Sequence, residues 1–158
     1  MATSAPAVVG WVEEEAGGRE LESHLYLLFY TNMYEEEKML KIVIPVADER
    51  GERLSDHFGR APYFAWYELE GGSVVDKGLV PNDSEHFGGT GLPPDRILQL
   101  RPEAVITSGM GRRALNRFQV AGVAILQAVG NRTSENLARF IGGELTELTQ
   151  GCLHARHS

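Results

Sequence analysis

Two short segments of this chain nearly repeat each other: SDHFG at residues 55–59 and SEHFG at residues 84–88. Each sets an imidazole beside a carboxylate that could orient it, as carboxylates orient metal-binding histidines. Each also ends in a glycine, which allows close approach of a bulky ligand. We therefore treat His57 and His86 as metal ligands on two loops that converge on one site. The alternative is that the histidines cap turns and the phenylalanines fill the core.

A further segment could bind an anion. The loop TSGMG at residues 107–111 leads into two arginines at a predicted helix start. Free backbone N–H groups, the positive end of the helix dipole and guanidinium donors would meet there. The segment matches neither a P-loop nor the three-glycine dinucleotide motif, and such turns also arise for geometric reasons alone. The anion-binding candidates are Ser108, Gly109, Gly111, Arg112 and Arg113.

The tail CLHARH at residues 152–157 carries one thiol and two imidazoles, a set that suits a soft metal. Disorder is the default at a chain end, and that interpretation competes with metal binding. Cys152 and His154 are the candidate ligands, and a second copy of the tail in a homodimer would double their number. Because Cys152 is the only cysteine, neither an intrachain disulfide nor four-cysteine ligation of a cluster within one chain can occur.

Composition predicts a soluble, cytoplasmic protein that does not bind membranes. The apolar run at residues 25–30 is far shorter than the ~20 residues of a spanning helix, and acidic residues precede it where a secretory signal would be basic. Nucleic acid is not an expected partner. The net charge of -7 looks like evidence against it, but the distribution of charge along the chain matters more than the sum. Before Met39 there are two basic and eight acidic residues, which leaves 13 basic and 14 acidic residues in the remainder. Eleven of those 13 are arginines, whose planar fork of donors suits oxyanions.

Regular structure is predicted from Met39 onward. The apolar, β-branched run at residues 40–46 is typical of a strand buried on both faces. A Gly71-Gly72 turn joins two further strands into a hairpin. Next come a helix over 95–100 that ends before Pro102, a strand over 104–107, a helix capped by Gly122, a strand over 123–127 and a helix with Thr133 or Ser134 as its N-cap. The order β-β-β-α-β-α-β-α predicts an α/β fold with a mixed sheet.

The chain divides into an N-terminal extension at residues 1–38, a domain at residues 39–150 and the tail at residues 151–158. Two interpretations of the extension remain open. The extension is either an ordinary flexible or packing arm, or it is not translated because the true start codon is that of Met39. The second interpretation rests on the glutamates at 35–37, whose codons could form a purine-rich ribosome-binding sequence. The intact mass of the protein from its native host distinguishes the two.

Enzyme activity is not predicted. Ser55, Ser84 and Ser108 lie in no nucleophile-elbow context. The strand at residues 40–46 also lacks the carboxylates that a two-metal nuclease needs. No general acid and base can be nominated from the sequence.

Three segments, in order, give the chain a family resemblance: MLKIVIPVADERGERLSDHFGRAPYF, AVITSGMGRRALNRFQVAGVAIL and TSENLARFIGGEL. Over about residues 39–148 the chain resembles the dinitrogenase iron-molybdenum cofactor biosynthesis family. The resemblance implies a ribonuclease H-like α/β fold with a mixed five-stranded sheet, without nuclease carboxylates. It also implies binding of iron-sulfur or molybdenum-containing clusters or their precursors, with cofactor assembly proteins as partners.

The resemblance carries over to two motifs. The family's His-Phe-Gly motif corresponds to His57, Phe58 and Gly59, followed here by Arg60. Its glycine-rich helix start corresponds to Gly109, Gly111, Arg112 and Ala114. His86 lies in the family's variable loop, and Leu153 and Ala155 depart from the Cys-Gly-His-His endings of some members.

The predicted function is noncatalytic holding of a cluster, with His57 and His86 as ligands and the turn at residues 109–113 balancing its charge. Ligation requires neutral imidazole, so binding should weaken as pH falls through the ordinary histidine range near ~6.5. The alternative is a small-anion or protein-interaction module with structural histidines. A third hypothesis, hydrolase or nuclease activity retained from the fold, is opposed by the missing carboxylates.

Overall fold

The computed structural model describes residues 39–84, 88–89 and 91–149. The strands in it are β1 (Met39–Val46), β2 (Tyr63–Glu70), β3 (Ser73–Pro81), β4 (Ala104–Thr107) and β5 (Ala124–Gln127). The helices are α1 (Pro93–Leu98), α2 (Arg112–Val120) and α3 (Thr133–Ile141). The N-terminal extension, His86 and the tail with Cys152 and His154 lie outside the described residues. No described helix is long and apolar enough to cross a membrane.

The described strands form one sheet in the order β3-β2-β1-β4-β5. β2 lies between β1 and β3 and pairs antiparallel with both, and the left-handed φ angles of Gly71 (61°) and Gly72 (83°) make the tight turn of the β2–β3 hairpin. β4 and β5 extend the sheet parallel to β1, with α2 as the crossover between them. The mixed five-stranded sheet predicted from the sequence is confirmed.

Helices cover both faces of the sheet, as the apolar run of β1 requires. On one face Ile44 belongs to a buried cluster that includes Phe140 of α3. On the other face Val43 belongs to a cluster with Ile97 of α1 and Phe118 of α2. Because β1 alternates between the two clusters, both faces of this strand are removed from water, which accounts for its almost wholly apolar sequence.

The two edges of the sheet differ. Beyond β5, Gln127 N donates to Thr146 O at 2.8 Å and Leu148 N donates to Ile125 O at 2.7 Å. The segment at residues 146–148 therefore covers that edge. β3 forms the opposite edge of the described sheet, and its pairing with β2 shifts register at Glu68/Leu69.

Two helix starts differ from the predictions. α1 begins at Pro93, earlier than predicted, because proline fixes the φ angle that a first helical residue needs. The prediction of Thr133 or Ser134 as the N-cap of α3 is wrong. Arg132 occupies the N-cap, and Thr133 N donates to Glu52 O at 3.0 Å. A tertiary backbone contact therefore sets this start in place of a side-chain cap.

Candidate functional site

The described loops that carry predicted site residues lie at the carboxyl end of the sheet's parallel strands. β1, β4 and β5 are parallel, so the loops that follow them share the carboxyl end, where ligands bind in open α/β sheets. Backbone hydrogen bonds join these loops. Leu54 N donates to Asn131 O at 2.8 Å, and Ala128 N donates to Thr107 O at 2.9 Å.

His57 is exposed, and its backbone is fixed by Ser55. The buried Ser55 Oγ donates to His57 O at 3.0 Å and accepts from His57 N at 3.4 Å. Ser55 N in turn donates to Pro45 O at the end of β1 (3.0 Å). Among the described hydrogen bonds none joins the Asp56 carboxylate to the imidazole. The orienting carboxylate suggested by the sequence is thus replaced by a serine that holds the main chain.

Phe58 belongs to the core and not to the open surface of the loop. Its side chain is 5% exposed and its ring lies 6.4 Å from Phe64 and, edge-on, 5.8 Å from Phe118. The alternative interpretation of the phenylalanines therefore holds for this one. Phe58 anchors a single 3₁₀ turn, Phe58–Arg60, that presents Gly59 and the exposed Arg60.

Asn82 ties the second near-repeat to the first. Asn82 N donates to Pro62 O at 2.8 Å, and Asn82 Nδ2 donates to Ala61 O at 2.7 Å. Its Oδ1 accepts from Ser84 N at 3.1 Å, which fixes the start of the SEHFG segment. Asn82 is 3% exposed. The two loops are therefore joined where the second begins, although the position of His86 lies outside the described residues.

Side-chain hydrogen bonds from the sheet hold the glycine-rich turn after β4, and the space beside Gly109 is open. Thr107 Oγ1 donates to Gly109 O at 3.1 Å and Gln127 Nε2 donates to Ser108 O at 2.8 Å. Met110 is buried in the same apolar cluster as Phe58. Gly111 is the N-cap of α2 and makes no side-chain cap, so the first N–H groups of the helix have no side-chain acceptor.

The first turn of α2 carries two exposed cations and no acid. Arg112 and Arg113 sit at the positive end of the helix dipole, where a cation is unfavourable by about 0.3–1 kcal/mol. An anion bound there would interact favourably both with the helix dipole and with the two guanidinium groups. The arrangement therefore favours a negatively charged ligand.

Gly59 and Gly109 are not required by the fold. Neither has a positive φ angle, and a Cβ built on either would meet no atom within 4 Å. An added Cβ at either position would therefore clash with none of the described residues. Both flank open space at the carboxyl end of the sheet, which is the arrangement expected where a ligand approaches the main chain.

A complete set of metal ligands does not come together in the described part of the chain. No group of three or more His, Cys, Asp or Glu side chains converges there. His57 is the described histidine, while His86, Cys152 and His154 lie outside. Within the described residues the site thus offers one imidazole and anion-binding groups.

Asp48 organises the first turn of the long loop between β1 and β2. Its carboxylate accepts from Glu52 N and Arg53 N, each at 3.0 Å. Burial acts to raise the pKa of Asp48, but these backbone N–H donors outweigh it, and the pKa lies below its ordinary value. The ionised carboxylate therefore stabilises the loop that leads to His57.

We expect Asp48→Asn to lower the free energy of unfolding by about 1 kcal/mol at pH 7, because a charge-assisted acceptor becomes a neutral one. A lowered folded-state pKa gives stability that is present above the unfolded pKa and lost as pH falls through the folded one. The difference from the parent should hold from pH 5 to 8 and close below about pH 4. Urea unfolding across this range measures it. Asp56→Asn, exposed in the same loop, is the matched control, and a gap that persists at pH 3 would refute the charge argument.

Sequence comparison decides the family. The profile described as dinitrogenase iron-molybdenum cofactor matches residues 40–143. This chain belongs to that family. The resemblance found in its motifs is confirmed, and both glycine-bearing loops fall within the matched residues.

The similarity between this dinitrogenase iron-molybdenum cofactor family member and its relatives covers most of the length of each relative. An uncharacterized protein of Methanocaldococcus jannaschii is 29% identical over 111 residues, which cover 68% of this chain and 91% of the relative. An NMR structure of a Thermotoga protein named after NifB is 28% identical, with a TM-score of 0.59 and coverage of 73% of this chain and 98% of that one. The apo orange protein of Desulfovibrio gigas, 18% identical, has a TM-score of 0.58 over 72% of this chain and 96% of its own, and shows the fold alone.

Sequence reasoning missed the residues that position the family site. Ser55, Asn82 and Gln127 each donate to or accept from main-chain atoms of the site loops. An Asn in a Pro-Asn-Asp turn was a visible signal of local hydrogen bonding. Nothing in the sequence indicated that its partners would be Ala61 and Pro62, because those contacts form only when the sheet brings two loops together.

Proposed function

We propose that this protein is a noncatalytic carrier or scaffold for an iron-sulfur or molybdenum-containing cluster in metal-cofactor assembly, on a ribonuclease H-like fold. Membership of the dinitrogenase iron-molybdenum cofactor family supports the assignment to cofactor assembly. The cluster is the cargo of this protein, and cofactor assembly proteins are the donors and acceptors. The remainder of the proposal rests on the site at the carboxyl end of the sheet.

The observation that carries the proposal is the pair of glycines that the fold does not need. Gly59 and Gly109 lie on two loops that follow neighbouring parallel strands, and their neighbours Phe58 and Met110 lie in one buried cluster. The apolar cluster thus holds both loops while their main chains face open space. A cluster, which is bulky and rigid, can approach the main chain only where side chains are missing.

The two loops have different roles in this proposal: one balances the charge of the cluster and the other supplies a ligand to it. The start of α2 supplies N–H donors and the guanidinium groups of Arg112 and Arg113, which balance the negative charge of a sulfide-bridged cluster. The exposed imidazole of His57 supplies a ligand from the other loop, with Arg60 beside it. In this proposal His86 adds a second ligand, and Cys152 and His154 contribute from the tail.

Anaerobic titration with iron-sulfur and thiomolybdate species tests the proposal. The parent should bind stoichiometrically by absorption and metal content, and His57→Ala should weaken binding at least tenfold. Gly109→Ala should also weaken binding without loss of stability, because the added Cβ meets no described atom within 4 Å. Gln119→Ala, exposed farther along α2, is the matched control. Retention of full binding by both site variants would refute the proposal.

A second candidate, a small-anion or protein-interaction module, is favoured by one observation. The described residues bring together no set of three metal-ligating side chains. In that case a carboxylate or phosphate group would occupy the start of α2 and the histidines would be structural. Protection against heating by such anions, lost in Arg112→Gln and unaffected by metals, would select this module over the carrier.

A further inference from the structure

Two arginines are held opposite each other between the β1–β2 loop and the start of α3. Arg53 and Arg132 form an antiparallel bridge, and backbone hydrogen bonds of 2.8 and 3.0 Å between their sequence neighbours flank it. This pattern defines a non-hydrogen-bonded pair, in which the Cα atoms lie about 4.5 Å apart and the side chains leave the same face. Both arginines are exposed. Two guanidinium groups thus rise side by side from a fixed backbone.

Neither arginine of this pair forms an ion pair within the described residues. The described ion pairs include neither Arg53 nor Arg132. Like charges directly opposite each other destabilise a strand pair. By contrast, the arginines that do form ion pairs with acids lie on helices, and they are Arg96, Arg117 and Arg139.

Three acidic residues lie close to the arginine pair in sequence. One accepts backbone hydrogen bonds, and the other two form no ion pair with the arginines among the described residues. The Asp48 carboxylate accepts the N–H groups of Glu52 and Arg53. Glu52 and Glu135 are exposed, and neither forms one of the described ion pairs with this arginine pair. The positive charge of the bridge therefore remains available to an external anion.

The start of α3 adds a second feature at the same place. Arg132 is its N-cap, a position where an arginine cannot accept hydrogen bonds from the first turn. Thr133, the first helical residue, is 3% exposed and its Oγ1 has no hydrogen-bond partner. A nine-residue helix thus begins without a side-chain acceptor beside two unpaired cations.

We propose that Arg53 and Arg132, with the start of α3, bind a tetrahedral oxyanion of the phosphate or sulfate type. Each guanidinium group presents a planar fork that matches two oxygens of such an anion. The start of α3 contributes its dipole and the N–H groups of Ser134 and Glu135, since Thr133 N and Asn136 N already donate to Glu52 O and Arg132 O. The anion would convert the unfavourable pairing of like charges into two favourable contacts. The anion site rests on this arginine pair and not on binding of a cluster.

Thermal unfolding in phosphate, in sulfate and in chloride at equal ionic strength tests the proposal. Phosphate and sulfate should raise the midpoint of the parent above its value in chloride, because an anion that binds only the folded state stabilises it by mass action. Arg53→Gln and Arg132→Gln should each weaken the apparent affinity for phosphate by about tenfold, the effect of losing one charge-assisted contact. In chloride the same variants should unfold at or above the parent's midpoint, because the repulsion is gone.

Arg101→Gln is the matched control, since it removes an exposed arginine at the other end of β4. It should leave phosphate protection unchanged. Arg53→Lys should retain part of the protection, because it keeps the charge and loses the fork. Equal protection of the parent and of the Arg53→Gln/Arg132→Gln double variant would overturn the site, as would a parent that phosphate protects no better than chloride.

Discussion

Phe118→Ala should lower the free energy of unfolding by about 3–5 kcal/mol, the usual effect of truncating a fully buried aromatic side chain. Phe118 is 0% exposed and lies edge-on to Phe58 at 5.8 Å. Its ring is part of the cluster that also holds Ile97 of α1 and Met110 of the glycine-rich turn. The truncation leaves a cavity at the point where two helices and both site loops meet. Urea unfolding followed by far-ultraviolet circular dichroism measures the loss.

Val120→Ala is the matched control, because Val120 ends the same helix and is 81% exposed. It should change stability by less than about 0.5 kcal/mol. Phe118→Leu should recover a large part of the loss, since leucine refills some of the cavity. A Phe118→Ala variant as stable as the control would show that this cluster does not hold the domain together.

Asn136→Asp should destabilise the fold by about 3–5 kcal/mol at pH 7, although the two side chains have nearly the same shape. Asn136 is fully buried, and its Nδ2 donates to Val129 O at 3.0 Å and to Arg132 O at 2.9 Å. Its Oδ1 accepts from Val129 N at 2.8 Å. A carboxylate would keep the acceptor and turn the donor into a second negative oxygen facing two carbonyl groups. Chemical unfolding at pH 7 measures the difference.

The pH dependence of Asn136→Asp separates charge from shape. The buried carboxyl would have a raised pKa, because burial and two carbonyl oxygens disfavour ionisation. Its protonated form again has a donor, so the loss should shrink as pH falls from 7 to 5. Asn136→Ala should cost less at pH 7, about 2 kcal/mol, with no such trend. The exposed Asn116→Ala is the control, and a pH-independent loss in Asn136→Asp would contradict the account.

Local patterns in the sequence were sufficient to predict most of the fold. The apolar run at residues 40–46 indicated a strand covered on both sides, and Gly71-Gly72 indicated the hairpin. Alternation of strands and helices after residue 102 then required parallel neighbours. These features depend on residues close together in the chain, which is why they can be inferred without coordinates.

The site was only partly predictable. His57 and Gly109 lie on loops at the same end of the sheet because β1 and β4, which precede those loops, are parallel. The burial of Phe58 and the link from Asn82 to Ala61 do not follow from any local pattern, because they depend on contacts between distant segments. The start of α3 shows the same limit, since a backbone contact with Glu52 overrides the preference of serine and threonine for the N-cap.

The free edge at β3 bears on whether copies of this protein can pair through their sheets. An uncovered strand can recruit the strand of another copy and so begin aggregation. Here the pairing of β3 with β2 shifts register at Glu68/Leu69 of β2. β3 also carries the exposed charges of Asp76 and Lys77, and it ends in Pro81, which has no N–H to donate. The register shift and the proline interrupt the regular backbone ladder that fibril growth requires, and the exposed charges disfavour close approach of a second strand. The edge that no segment covers in the described structure is thus the one built to resist intermolecular strand pairing.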